Sequence, residues 1–240
     1  MSRSTHILLL LLASQACHVQ RTFAQQPSAP PARRWEISVD LGYSFGSTAS
    51  QFEDVMRASG LDDPESCWLF CSGTISNPHS RGALTTGIAI SYAFRDRWAL
   101  RLERVSADLG ETMGYHDPLI YLFLHSTVTT MAPVAVYSVT GRLRIGAGPA
   151  INSVQVTRTD APGGPGWHTT RVGFVLLGRV VSSERRRVFF EGTARYDFVG
   201  SPAAGPFVSQ ALGGPGTAVM PRTRISFSYA SIHVGLGLRF

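Results

Sequence analysis

The sequence predicts an all-β protein, an eight-stranded antiparallel transmembrane β-barrel with short turns at one end and long loops at the other. Three observations predict it. Large apolar residues alternate with small or polar ones through eight separate segments, as strands with one apolar face do. The connections between those segments are short and long in turn, which with an even strand count is how a membrane barrel is strung. The longest apolar run is Ile7 to Ala13, far short of the roughly 20 residues a helix needs to cross a bilayer.

Composition removes the other classes. With 44% hydrophobic and only 16% charged residues among 240, the chain is no disordered polar tract, and 10% aromatics with 24 glycines favour strands and turns over coiled coils. The net charge of +6 is carried wholly by arginine, 22 residues against 16 acids, with no lysine anywhere. Those arginines are scattered through strand-like segments instead of clustering with aromatics, so nucleic acid is not expected as a partner.

Residues 1–24 read as a signal peptide: Arg3, an apolar core over Ile7 to Ala13, and small residues at Thr22 and Ala24. A second cut, after Ala16, would leave Cys17 at the N-terminus as in a lipoprotein. Ser14-Gln15-Ala16-Cys17 lacks the aliphatic residue such a signal carries three positions before the cysteine. Residues 25–34, rich in Gln, Pro and Ala, form a disordered lead-in. The barrel is expected over 35–240. Loss of Arg3 and Arg21 leaves twenty arginines against sixteen acids, a charge of +4.

The first strand, Trp35 to Phe45, places large apolar residues at every odd position. The second, Leu84 to Phe94, repeats that period. The third begins at Trp98 and loses phase near Arg104 and Val105, where a bulge is expected. In the fourth, Ile120 to Tyr137, Leu122, Leu124, Val128, Val134 and Val136 form the apolar face opposite His125, Thr127 and Thr129. The fifth is Arg142 to Val156, the sixth Thr170 to Val181, the seventh Val188 to Val199 and the eighth Arg224 to Phe240. Connections at 95–97, 138–141 and 182–187 are hairpin turns. Long loops are expected at 46–83, 108–119, 157–169 and 200–223.

Alternation does not by itself say which face is inside. Glycine helps, because Gly42, Gly87, Gly146, Gly148, Gly173, Gly235 and Gly237 share the polar faces, and an eight-stranded barrel has an interior just wide enough for side chains to fill. Those faces also carry Glu36, Asp40, Glu103, Glu191 and Asp197 against Arg101, Arg144, Arg179, Arg195 and Arg239. Charges buried in a filled lumen must be paired, so a ladder of ion pairs is expected. Glu191 and Arg195 stand about 13 Å apart along one strand and cannot pair with each other. Arg179 on the sixth strand and His233 or Arg239 on the eighth are their expected partners.

The C-terminal segment His233-Val-Gly235-Leu-Gly-Leu238-Arg-Phe240 resembles the outer-membrane assembly signal, with Leu238 where an aromatic is common. Together with Arg195-Tyr196-Asp197-Phe198 and Gly146-Ala147-Gly148-Pro149, it makes residues 35–240 resemble the small OmpA/OmpX-like outer-membrane β-barrel family of the Gram-negative cell envelope. The resemblance implies periplasmic turns and extracellular loops. It implies outer-membrane lipid and lipopolysaccharide as surroundings, the outer-membrane insertion machinery as a partner during biogenesis, and a monomer. On activity it is broad: structural proteins, adhesins, small transporters and a few lipid-modifying enzymes share the architecture. A non-enzymatic structural or surface-recognition role through the loops is expected. The alternatives are a narrow conduit for small or apolar solutes and a lipid-modifying enzyme.

The remaining candidates are few. Cys67 and Cys71 in the first long loop are expected to form a disulfide, since export places them in an oxidising compartment. No His pair accompanies them, and neither metal nor cofactor is expected. Ser50-Gln51-Phe52-Glu53 has the form of a capping box, and Phe52, Val55 and Met56 make an apolar stripe ending at Gly60. That predicts a short loop helix packing on Trp68 and Leu69, with docking over the barrel mouth as the alternative. His125 and Ser126 invite comparison with barrel enzymes that deacylate lipid A. Neighbours on a strand point to opposite faces, however, so no catalytic residue is expected.

Overall fold

The computed structural model describes residues 34–60, 84–117, 120–158, 166–183, 186–210 and 217–240. The signal segment, Cys17, the loop cysteines Cys67 and Cys71, and the loop residues Trp68 and Leu69 lie outside the described residues. In chain order the elements are β1 (Trp35–Gly46), α1 (Thr48–Ala58), β2 (Leu84–Arg95), β3 (Trp98–Asp117), β4 (Ile120–Ser138), β5 (Leu143–Arg158), β6 (Trp167–Val181) and β7 (Val188–Phe198). Four short strands follow, β8 (Ala203–Ala204), β9 (Phe207–Gln210), β10 (Thr217–Met220) and β11 (Thr223–Arg224), then β12 (Tyr229–Arg239).

Eight strands close into a barrel in the order β1-β12-β7-β6-β5-β4-β3-β2, every neighbour antiparallel. Glu36 lies opposite Arg239 and Gly46 opposite Tyr229 at the closing seam. Trp35 and Phe240 exchange backbone hydrogen bonds of 3.2 and 3.1 Å there.

Closure puts the apolar faces outside. On β1 the odd residues Trp35 to Phe45 are between 38% and 53% exposed, while Glu36, Ser38 and Ser44 are buried. The same inversion holds on β7 and β12, where Phe190, Ile232 and Val234 face out and Glu191, Arg195 and His233 face in. A barrel that keeps its charges inside and its large apolar side chains outside is matched to lipid. Aromatic girdles mark the two edges of the band. Trp35 packs on Tyr92 with ring centroids 4.7 Å apart and Trp98 on Tyr137 at 5.0 Å at the turn end. Tyr43–Phe45 and Tyr196–Phe198 do so at the loop end, at 5.1 and 4.4 Å.

β3 and β4 run 20 and 19 residues, about twice the 9–11 residues of a membrane-crossing strand. The segments expected as long loops at 108–119 and 157–169 are therefore partly strand, with the β3–β4 ladder reaching Asp117 opposite Ile120. Beyond Leu102, Met131 and Ile151 the outward side chains become polar: Arg104, Ser106 and Asp108, then Thr129, Thr127 and His125, then Ser153 and Gln155. The inward ones become apolar, with Val105, Val128, Leu124, Leu122, Val154 and Val156 buried. The strands have left the lipid and packed like those of a soluble protein.

This change of surroundings corrects two expectations. No bulge interrupts Arg104 and Val105, which stay in register with both neighbours; the irregularities of the β3–β4 ladder lie between Asp108 and Gly110 and between Tyr115 and Asp117. The phase is lost because the outer solvent changes from lipid to water. On β4 the apolar set Leu122, Leu124, Val128, Val134 and Val136 faces inward, not towards lipid. In the membrane the outward residues of β4, Met131, Pro133, Ala135 and Tyr137, are also apolar, so alternation there carries no sign.

The 200–223 connection is not a plain loop, because β9 pairs with β10 and β11 with β8, and the last barrel strand starts at Tyr229, not Arg224. Interior glycines permit close strand approach. A Cβ on Gly148 would stand 2.0 Å from the Pro133 carbonyl oxygen, and one on Gly237 2.1 Å from the Phe189 ring.

Candidate functional site

Within the lipid band the lumen holds a connected set of charges. Glu36 on β1 accepts from three arginines on three other strands: Arg239 at 2.7 Å, Arg144 at 2.9 Å and Arg179 at 3.1 Å. Arg179 also pairs with Glu191. Arg101 donates to Glu103 at 3.0 Å and to Ser38 at 3.2 Å, and lies 3.6 Å from Glu191 and 3.9 Å from Asp40. Arg195 grips Asp197 through two nitrogens, at 2.5 and 2.8 Å, and reaches Glu103. All ten charged residues singled out from the sequence thus face the same space. Arg239 adds a cation–π contact, 4.1 Å above the Phe189 ring.

The pairing differs in one respect from the expected one. Arg195 meets neither His233 nor Arg239. It pairs with Asp197, two residues on along its own strand, and with Glu103 across the lumen. Residues i and i+2 share a face about 6.6 Å apart, within reach of an arginine side chain. The assembly-signal residues divide by parity. His233 points inward, 2.7 Å from Asp40 and 2.8 Å from Ser231, and Gly235 packs against the Val39 carbonyl oxygen. Leu238 and Phe240 face out.

Above the charges the interior is apolar. Phe52 and Met56 of α1 are completely buried against Leu109, Leu122, Leu124, Val128, Phe207 and Phe227. Phe52 meets the Phe207 and Phe227 rings edge-on at 6.1 Å, and Trp167 stacks on Phe227 at 5.9 Å. The helix therefore docks in the barrel mouth, the alternative placement read from the sequence; Trp68 and Leu69 lie outside the described residues. Barrel walls that continue above the lipid supply the apolar surface that covers Phe52 and Met56. Polar clamps fix it: Thr48 Oγ1 donates to the Ser226 carbonyl at 2.9 Å, and Gln51 Oε1 accepts from the Ser226 backbone N–H at 2.8 Å. The cap is Ser47, not Ser50. Gln51 Nε2 reaches back to Ser47 Oγ at 2.7 Å while Ser50 donates to the Ser47 carbonyl at 2.9 Å. Gly60, at φ +73°, ends the turn.

The outer wall above the lipid carries two polar pairs. His125 Nε2 lies 3.0 Å from Asp108 on β3, and Ser153 Oγ lies 2.9 Å from His168 Nε2 on β6. Ser126 is buried on the inner face, so it and His125 diverge. The Ser153–His168 pair was not legible in the sequence, since 15 residues separate them and only the β5–β6 register brings them together. Among the described residues no carboxylate lies within ion-pairing distance of His168, and none form a cluster of three metal-ligating side chains.

No protein-family model and no curated protein matches the sequence. Among solved structures the chain is similar to Neisserial surface protein A, at 11% identity over 86% of this chain and 97% of that one, with a TM-score of 0.44. Another is Ail, the attachment invasion locus protein of Yersinia pestis, in complex with the heparin analogue sucrose octasulfate (8%, 86% and 99%, TM-score 0.45). A third is the N-terminal β-barrel domain of Pseudomonas aeruginosa OprF (11%, 87% and 98%, TM-score 0.39). With its apolar faces outward between two aromatic girdles and its charges enclosed, the chain is an eight-stranded barrel of the outer-membrane type.

Proposed function

We propose that this is a non-enzymatic outer-membrane protein with a closed lumen, whose role in the envelope is carried by the part of the barrel standing above the lipid. The observation that supports closure is the stacking of two fillings in one lumen. Ten mutually paired charges occupy the membrane level, and α1 with its apolar partners occupies the mouth. A conduit would have to dissolve both. The extended β3–β6 wall supports a recognition role, because strand pairing holds polar side chains such as Thr127, Gln155 and His168 on a fixed outward face. Beyond Leu102, Met131 and Ile151 the strands β3, β4 and β5 continue for 15, 11 and 7 residues, roughly 23 to 50 Å measured along each tilted strand. Outer-membrane lipid and lipopolysaccharide are its surroundings, and a ring with no free edge inside the membrane suits a monomer. Phe240 with His233, Gly235 and Leu238 serves the insertion machinery.

The test has two arms. Barrel reconstituted in planar bilayers should pass no ions above the lipid's own leak, and unitary conductance steps would replace this reading with the conduit. On intact cells a membrane-impermeant maleimide should label Gln155→Cys at its own peptide but not Leu100→Cys; the reverse pattern would refute the placement of the wall. The lipid-modifying alternative draws on the Ser153–His168 hydrogen bond. It predicts a change in outer-membrane lipid mass that depends on the protein and vanishes in Ser153→Ala, whereas the proposed role predicts none.

A further inference from the structure

One stretch of the lipid face is lined partly by small residues. A furrow of about 740 Å³ crosses β4 to β7, starting beside Trp98 and Tyr137 and passing over Ile145, Ala147, Gly178 and Ala194. Tyr137, Ile145, Gly178 and Ala194 occupy one register row, so the depression follows the hydrogen-bonding direction of the sheet and lies obliquely on the barrel wall. Ile145, Ala147, Gly178 and Ala194 face outward on the lipid side of the wall, where the molecules at hand are acyl chains, and Trp98 and Tyr137 stand at its headgroup edge.

Exposed arginines flank the turn-side end of the furrow. Arg97 Nη1 donates to Tyr137 Oη at 3.3 Å, and that ring stacks on Trp98 in the turn-side girdle. Tyrosine hydroxyls of such girdles sit at headgroup level, which fixes the guanidinium there too. Arg142, exposed in the adjoining β4–β5 turn, lies three residues before Ile145, about 10 Å along the chain. The surrounding rim reinforces the field: Arg34, Arg95, Arg186 and Arg187 are also exposed, against Asp96 as the one acidic side chain among the described turn residues.

We propose that this furrow seats one acyl chain of an anionic glycerophospholipid of the periplasmic leaflet, its phosphate held by Arg97 and Arg142. Arginine presents a fixed fork of donors that matches phosphate oxygens, and the absence of lysine from the chain places only such forks on the rim. An apolar groove whose turn-side end is flanked by arginines, one of them hydrogen-bonded to its lining Tyr137, fits an amphiphile with a negative head. Lipid A also carries phosphates, but it belongs to the other leaflet, at the opposite girdle. The proposal rests on the membrane placement of the barrel and is independent of what the extracellular wall recognises.

The experiment offers the folded full-length barrel an equimolar mixture of phosphatidylglycerol and phosphatidylcholine of the same chain length in mixed micelles, and counts retained lipid by native mass spectrometry. One phosphatidylglycerol should be kept in preference to phosphatidylcholine by on the order of tenfold, the size expected of two interfacial arginines. Arg97→Gln with Arg142→Gln should bring that ratio close to one without disturbing folding, since both side chains are exposed. Gly178→Leu, whose added atoms meet nothing within 4 Å of the Cβ position, should fill the furrow and abolish retention of either lipid. Equal retention by the wild type, a preference that survives the double substitution, retention unaffected by Gly178→Leu, or stronger retention of lipid A than of phosphatidylglycerol would each overturn the proposal.

Discussion

Glu36→Gln is the sharpest probe of the lumen, because one carboxylate serves three guanidiniums. Its oxygens take Arg239 at 2.7 Å, Arg144 at 2.9 Å and Arg179 at 3.1 Å. Glutamine keeps the shape and removes the charge. Arg179 would still have Glu191. Arg239 would retain only the Ser183 carbonyl and the face of Phe189. Arg144 would have no second acid within pairing distance among the described residues. Removing one partner of a buried pair costs about 3 to 5 kcal/mol, because the other charge stays behind uncompensated. Arg144 is 12% exposed and keeps some hydration, which draws the expectation to the lower end, about 3 kcal/mol. The assay is urea unfolding in lipid vesicles, read as the fraction of heat-modifiable folded band. Glu36→Gln combined with Arg144→Gln should recover part of the loss, since the second change removes the stranded charge. Arg57→Ala, at a guanidinium that is 59% exposed in its helix pair with Glu53, should cost under about 1 kcal/mol. A Glu36→Gln barrel within 1 kcal/mol of wild type would refute the enclosed, paired lumen.

Further outcomes test other levels of the fold. Val234→Arg, on the lipid face, should destabilise by about 2 to 4 kcal/mol near the bilayer midplane, whereas Thr127→Arg, on the outer wall above the lipid, should be close to neutral in the same unfolding assay. Glu191→Ala leaves Arg179 and Arg101 each short of a partner and should cost about 3 to 5 kcal/mol, more than any substitution in an exposed loop. Phe52→Ala removes a ring from the mouth; trypsin should then cut at Arg57 while the barrel stays heat-modifiable, and uniform loss of the barrel would show that α1 is not a separately opening unit. Deleting Phe240 should leave protein as periplasmic aggregate with normal export, and undiminished folded barrel in the membrane would count against its role in assembly.

The alternation of Trp35 to Phe45, of Val188 to Phe198 and of Ala230 to Phe240 makes the strands, their number and the short turns readable in the sequence alone. A period of two is a local property and survives in one dimension. The ten lumen charges could be collected for the same reason, since parity alone places Glu36, Arg101 or Glu191 on the face shared with glycine. Parity could not supply the pairs. Arg195 with Glu103, 92 residues apart, and Glu36 with Arg239, 203 apart, meet only because the barrel closes with a particular stagger. Nor could it show where the lipid ends. From Trp98 to Asp108 on β3, opposite Tyr137 to Thr127 on β4, the backbone keeps one register while the solvent outside changes from lipid to water, so the polarity of each face reverses, and on β3 that reversal has the local look of a bulge. The helix over Thr48 to Ala58 was legible as an amphipathic stripe, but the surface that Phe52 and Met56 bury against is assembled from strands, β9 and the approach to β12, dispersed from residue 109 to residue 227. Which side of a strand is apolar is written in the sequence; whether that side meets lipid, a packed interior or water depends on the height of each residue on the closed barrel, and only the tertiary structure sets that height.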